Sequence, residues 1–312
     1  MHRSEPRRFI FLILTVLFLF MISFAGSSAQ DAEENYVEND WNFVDQSMDI
    51  SKGIPGNAMG VLESILNTGV LRVATDPYFP PQEFIDPTKD GQESFVGPDM
   101  ELARLIAKRM GVRLEIVPLD FSDVLNAVND GRCDLTISAL AFTPARAMMV
   151  EFSKGYYFSE ENAGTGVLIR AEDQELYRTA EDFSSAVITA QSGSLQESIA
   201  ADNFLSYKEF IRLDSMENVY EALDSGKADG AVVDAETAEN YIEKYPEKNL
   251  MLVPGLRFSL DEPFLGDRIA AKKGQIQLIY FVNAVIDEVL GSGQYMEWYR
   301  ESNEYAKSLG LE

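Results

Sequence analysis

Two stretches of this chain repeat one pattern, and that duplication limits the fold more than any other feature. FSDVLNAVNDGRCDLTIS covers residues 121–138, and MENVYEALDSGKADGAVV covers residues 216–233. Each runs through an amphipathic helical segment to Gly-x-x-Asp and then a short apolar run. Gly131 aligns with Gly226, and Asp134 with Asp229. Glycine just past a helix supplies the left-handed backbone that ends it, and an apolar run of this length suits a buried strand. Two copies at matching offsets predict two modules built the same way.

The segments between the copies extend the alternation. AMGVLESILNTG reads as a helix stopped by Gly69, and VLRVAT as a strand. PQEFIDPTKDGQESFVG reads as two extended pieces about an Asp90-Gly91 hairpin turn. PDMELARLIAKRMG is an amphipathic helix with Leu102, Ile106 and Met110 on one stripe. VRLEIVPL and CDLTISAL are strands. YYFSEENAGTGVLIRA crosses into the second module, where AVITAQSGSLQESIAADNF is a strand, a glycine turn and a helix. EFIRLD, MENVYEALDSG, ADGAVVDA and AETAENYIEKYP continue there. The chain returns through DRIAAKKGQ to a helix at 275–290 and a last helix from Gln294. Alternating strands and helices predict an α/β protein of two lobes, each a mostly parallel sheet flanked by helices. Lobe one takes 58–160 and 266–312, and lobe two takes 161–265. Ligands of open α/β sheets gather at the carboxyl ends of strands, so a cleft between facing strand ends is the expected site.

Several chemistries are excluded by composition. The only histidine is His2 and the only cysteine is Cys133. A folded domain beyond residue 2 therefore has no Ser-His-Asp triad, no Cys-His pair, no histidine-ligated metal and no internal disulfide. Cys133, at a strand entrance, reads as a small buried thiol. Residues 1–29 have a basic start, an apolar run from Phe9 and small residues before Gln30, which reads as a secretory signal peptide. The alternative is an uncleaved membrane anchor. No cysteine stands near residue 30 to carry a lipid. Residues 30–57 are acidic and aperiodic and read as a linker. Loss of residues 1–29, with Arg3, Arg7, Arg8 and Glu5, takes the formal charge from −25 to −27. Such a surface repels nucleic acid and anionic lipid headgroups.

Three features at the expected cleft carry chemistry. Arg146 follows the strand that ends in Ser138-Ala139-Leu140, and its planar fork suits a carboxylate; the plainer use is a surface ion pair. Asp234 ends the run GAVV, where it could hold an ammonium group or cap the next helix. Gln191-Ser192-Gly193-Ser194 precedes a helix, so its N–H groups could meet an anion. Guanidinium and N–H groups for a carboxylate, with a carboxylate for an amine, together make an α-amino acid site.

This combination resembles the periplasmic amino-acid-binding proteins of ABC importers, the family 3 solute-binding proteins, over residues 60–305. LRVATDPYFPPQEF is similar to that family's opening strand and aromatic loop. FVGPDMELARLIAKRMG resembles its G-[FY]-D-x-[DE]-L-A helix, with Pro98 in place of the aromatic residue. GRCDLTISALAFTPARAMMVEFSKGYY is similar to its most specific block. AQSGSLQE, DGAVVDA and GSGQYMEWYRE match its later motifs. The resemblance implies a two-lobed clamp with two crossing strands as a hinge near 158–164 and 260–268. It gives Arg146 to the ligand carboxylate, Asp234 to its amino group and Phe79 to stacking over the ligand. Asp76 and Ser138 line the pocket, and Ser194 and Leu195 take the place of the loop that meets the carboxylate. Ala141 and Leu195 stand where many members carry a hydroxyl. The expected ligand-binding set is Asp76, Phe79, Ser138, Ala139, Ala141, Arg146, Gly193, Ser194, Leu195 and Asp234. The implied function is an exported, monomeric binding protein, periplasmic or extracellular. It would need no cofactor and would deliver a small amino acid or amine-bearing acid to an ABC permease. Two rivals use the same fold. One is a cyclohexadienyl dehydratase, for which Glu83, Asp76 and Glu236 are available acids, with no pair placed for acid–base work. The other is a ligand-sensing module with a separate partner chain.

Overall fold

The structure, a computed structural model, describes residues 46–54, 56–158, 164–259 and 264–311. The expected signal peptide, the first part of the linker, most of the first hinge crossing (159–163) and the start of the second (260–263) lie outside these residues. Among the described residues no helix is long and apolar enough to cross a membrane.

Lobe one opens with helix α1 (Gly60–Thr68), which Gly69 ends in the left-handed conformation, and strand β1 (Val70–Thr75). Three short strands follow, β2 (Tyr78–Phe79), β3 (Glu83–Ile85) and β4 (Phe95–Val96), then α2 (Pro98–Met110) and β5 (Arg113–Pro118). Next come α3 (Val124–Asn129), β6 (Leu135–Thr136), α4 (Pro144–Met149) and β7 (Val150–Tyr157). Lobe two holds β8 (Thr165–Arg170), β9 (Val187–Gln191), α5 (Leu195–Asn203) and β10 (Glu209–Leu213). It continues with α6 (Met216–Asp224), β11 (Gly230–Asp234), α7 (Ala235–Lys244) and β12 (Leu250–Phe258). The chain re-enters lobe one as β13 (Asp267–Lys272), α8 (Ile276–Ser292) and α9 (Gln294–Leu309).

The two main sheets share one plan, β5-β1-β6-β13-β7 in lobe one and β10-β9-β11-β8-β12 in lobe two. In each, the first three strands are parallel and the fourth runs against both neighbours. The sheets are therefore mostly parallel, with one opposed strand each: β13, which returns from lobe two, and β8, which enters it.

The repeated Gly-x-x-Asp does the same work in both lobes. Gly131 and Gly226 have φ of 76° and 74°, where an L side chain is strained. Asp134 Oδ2 accepts from Arg72 N at 2.8 Å, and Asp229 Oδ2 accepts from Val187 N at 2.8 Å. Each aspartate also donates its own N–H to the carbonyl of that same partner, at 2.9 and 2.7 Å. The pair of bonds sets β6 beside β1 and β11 beside β9.

Three expectations are corrected. CDLTISAL pairs as a strand only at Leu135–Thr136, because Ala139 turns to φ 42° and gives its N–H to Asp99 Oδ2 at 2.9 Å. Strands β3 and β4 do form an antiparallel pair, but the connection spans 86–94 instead of turning at Asp90-Gly91. Asp86 organises that loop, accepting from Thr88 and, at 2.6 Å, from the Tyr305 hydroxyl. Finally, the end of the linker is part of lobe one. Met48 and Ile50 pack on its core, and Met48 N donates to Tyr280 O at 2.9 Å. The fully buried Asn283 ties this strap to β7, donating to Gln46 O and accepting from Lys154 N.

The core of lobe one is centred on α8. Leu278, Ile279, Phe281, Val282, Val285, Ile286 and Val289 are all buried against α1, α2 and the sheet. Each such side chain contributes about 1.5–3 kcal/mol on burial. Lobe two packs Val167, Ile169, Ile188 and Val232 on one face of its sheet and Leu168, Ala231 and Val233 on the other, the pattern of strands buried on both sides.

Candidate functional site

Four strand ends face one another across a cleft of about 570 Å³. Asp76 follows β1, Ser138 follows β6, Gln191 ends β9 and Asp234 ends β11. Because the lobes share a plan, the equivalent strands β1 and β9 meet: Gln191 Nε2 donates to Asp76 Oδ2 at 2.9 Å. Burial pushes the Asp76 carboxyl up to about 6.

Arg146 lies in α4, which begins with Thr143 as cap and Pro144 in its first turn. The guanidinium is buried in the cleft wall over the Phe121 ring, 5.6 Å from its centre. Nη1 donates to Ala141 O at 2.6 Å, and Nη2 crosses the cleft to Gly193 O at 2.9 Å. Burial lowers its pKa to about 10, so it remains a cation at neutral pH. Ala141 thus joins the site through its main-chain carbonyl.

Asp234 caps α7. Its Oδ1 accepts from Thr237 N at 2.9 Å and from Thr237 Oγ1 at 3.0 Å, while burial pushes its carboxyl upward. Capping and facing the cleft are compatible here, since Asp234 also lines it.

The loop before α5 differs from its expected use. Ser194 Oγ caps the helix by accepting from Glu197 N at 3.0 Å. Ser192 N donates to Leu213 O, Gly193 N to Glu197 Oε2 at 2.7 Å, and Ser194 N to Gln191 O. The N–H groups expected to meet an anion are therefore engaged by the protein itself. Gly193 joins the site through its carbonyl. No room exists for a larger residue there, as a Cβ would sit 2.9 Å from Ser122 Cα. The other nine expected residues, from Asp76 and Phe79 to Leu195 and Asp234, all line the cleft.

More acids converge here than the sequence motifs indicate. Ser138 Oγ accepts from Asp76 N and donates to Glu83 Oε1, both at 3.0 Å, so Asp76 and Glu83 are joined through one hydroxyl. Glu83 is buried, and its Oε2 has no partner among the described residues. Burial first, then the nearby Asp99, pushes its carboxyl well up. Asp99, also buried, accepts from Tyr156 and Tyr295 hydroxyls, each at 2.7 Å. Asp267, at the start of β13, lines the cleft and is pushed well up by burial. In the sequence Asp99 reads as an ordinary first-turn helix acid, and Asp267 sits in a return strand far along the chain from Asp76. No local pattern joins them.

Residues 71–302 match the bacterial extracellular solute-binding proteins, family 3. A probable histidine-binding protein of Campylobacter jejuni is 26% identical over 233 residues, 73% of this chain and 82% of the relative. An amino acid ABC transporter substrate-binding protein of Streptococcus pneumoniae, solved with L-arginine, superposes with a TM-score of 0.69 at 28% identity. That match covers 80% of this chain and 99% of the other. A cyclohexadienyl dehydratase of Pseudomonas aeruginosa is 27% identical over 188 residues, 60% of this chain and 67% of the enzyme. The likeness bears out the two-lobed clamp.

Proposed function

Because the chain belongs to the bacterial extracellular solute-binding proteins of family 3, we propose that it captures an α-amino acid with a cationic side chain and delivers it to an ABC importer outside the cytoplasm. The observation that carries this reading is the cluster of carboxyls in the cleft wall. Arg146 is the one cation among its described residues, and it is accompanied by Asp76, Glu83, Asp234, Glu236 and Asp267. Burial disfavours ionisation of Asp76, Glu83, Asp234 and Asp267. A ligand with a second cation stabilises an ionised carboxylate there that a neutral zwitterion, with a single ammonium, leaves without a partner. Buried acceptors favour the same chemistry. Glu83 Oε2 and Gln82 Oε1, both in the wall, have no partner among the described residues. An unpaired buried acceptor costs about 1–3 kcal/mol, and a guanidinium brings five donors in a planar fork.

In this reading Arg146 meets the ligand carboxylate, and Asp234 its α-amine, with Asp76 and Glu83 available to the distal cation. One transport relative is named a probable histidine-binding protein and the other was solved with L-arginine, and both agree with such a ligand. The protein acts as a monomeric carrier and performs no chemistry on its cargo. A thermal-shift screen of the twenty amino acids tests this, since a ligand that binds only the folded state raises its stability by mass action. Arginine, lysine or histidine should raise the midpoint and glutamate should not. Stabilisation by acidic amino acids alone would reject the cationic class. Turnover of prephenate or arogenate would establish the dehydratase rival instead.

A further inference from the structure

Helix α9 carries four hydroxyl side chains along one face, at 295, 299, 302 and 305. Three of them sew the helix to lobe one. Tyr295 donates to Asp99 Oδ1 at 2.7 Å, Ser302 to Pro81 O at 2.7 Å and Tyr305 to Asp86 Oδ2 at 2.6 Å. The fourth does not follow them. Tyr299 donates to Glu236 Oε1 at 2.9 Å, in the first turn of α7 in lobe two.

We propose that Tyr299 and Glu236 form an interlobe latch that sets how readily the clamp closes, whatever the ligand side chain. Helix α9, pinned at three points, holds Tyr299 rigidly. Its ring also stacks on Tyr157, the last residue of β7, at 4.8 Å and 16°. On the other side, Glu236 stands two residues after Asp234, so the latch grips the same helix end that lines the cleft. A second bond on this side of the molecule, Lys244 Nζ to Gly310 O, also ties α7 to the chain end beyond α9. When the closed form is a minor state of the free protein, the apparent Kd varies inversely with its population. Tyr299 is thus a positioning residue, acting on affinity through closure.

The latch rests on the carrier reading above, and its test separates the two. One spin label is placed on each lobe of the full chain, at Lys108→Cys and Lys227→Cys with Cys133→Ala, and interlobe distances are measured without ligand. Tyr299→Phe, which keeps the stacked ring, should lower the closed fraction about fivefold, the factor carried by one net hydrogen bond of about 1 kcal/mol. Glu236→Ala, made from the other lobe, should do the same, and the double variant should add little. With L-arginine and L-histidine as probes, Tyr299→Phe should weaken both by one common factor. If neither probe binds the parent protein, the ligand reading fails while the distance measurement still decides the latch. An unchanged distance distribution in Tyr299→Phe, or full additivity in the double variant, overturns it.

Discussion

Arg146 spends its two terminal nitrogens on main-chain oxygens, Ala141 O in its own lobe and Gly193 O across the cleft. A carboxylate reaching it meets a buried, oriented cation with no other positive charge among the described lining residues. Removing such a group from a buried ion pair costs about 2–5 kcal/mol. Arg146→Ala should therefore weaken L-arginine roughly thirtyfold or more by calorimetry. Arg146→Lys should recover only part of that, because it keeps the charge and loses the fork. Asp76 predicts a pH dependence. Its carboxyl is raised from 3.8 to about 6, chiefly by burial. Its ionised form is the one that pairs with a cation, so affinity for a cationic ligand should fall as pH drops through about 6, and Asp76→Asn should remove that step. The stability effect has the opposite sign. The free protein gains from this group at low pH and loses the gain as pH rises from 3.8 through about 6. A flat affinity profile between pH 5 and 7 would remove Asp76 from the ligand's contacts.

At the scale of elements, the repeated unit was readable because everything that makes it is local. The helix stripe, the left-handed glycine and the aspartate that follows lie within a dozen or so residues. The cleft loops were readable in position and misread in detail. Gln191–Ser194 looks like an anion loop, yet Glu197 and Leu213 take its N–H groups, and nothing in the local sequence announces those partners. The Glu83–Ser138–Asp76 chain joins strand β3 to the loops after β6 and β1, so only the folded sheet brings it together. Equivalence of the two units has a measurable consequence. Asp134→Ala and Asp229→Ala should each destabilise the protein by about 1–2 kcal/mol in urea unfolding, by losing one strand-setting hydrogen bond. The second should cost more, since Asp229 also pairs with Arg170 at 3.2 Å, and Arg170 in turn holds Leu223 O and Ala228 O. The two sites lie in different lobes, so the losses should add. A neutral Asp134→Ala would mean that the shared motif is not what sets β6.

For the whole molecule, one asymmetry joins the scales. The chain carries a formal charge of −25, and its cleft gathers carboxyls from both lobes, with Arg146 the one guanidinium among the described lining residues. Such a surface steers cations toward the opening and repels dicarboxylates. Burial holds the carboxyls of Asp76, Glu83, Asp234 and Asp267 upward, so a cation bound among them should favour their ionised forms. The most direct measurement is a calorimetric titration of the purified chain with L-arginine, with L-glutamate as the matched control. L-arginine should bind at one site per chain, and L-glutamate should give no detectable heat of binding. Binding of L-glutamate as tight as that of L-arginine, or no binding of any cationic amino acid at millimolar concentration, would contradict the cationic-ligand reading.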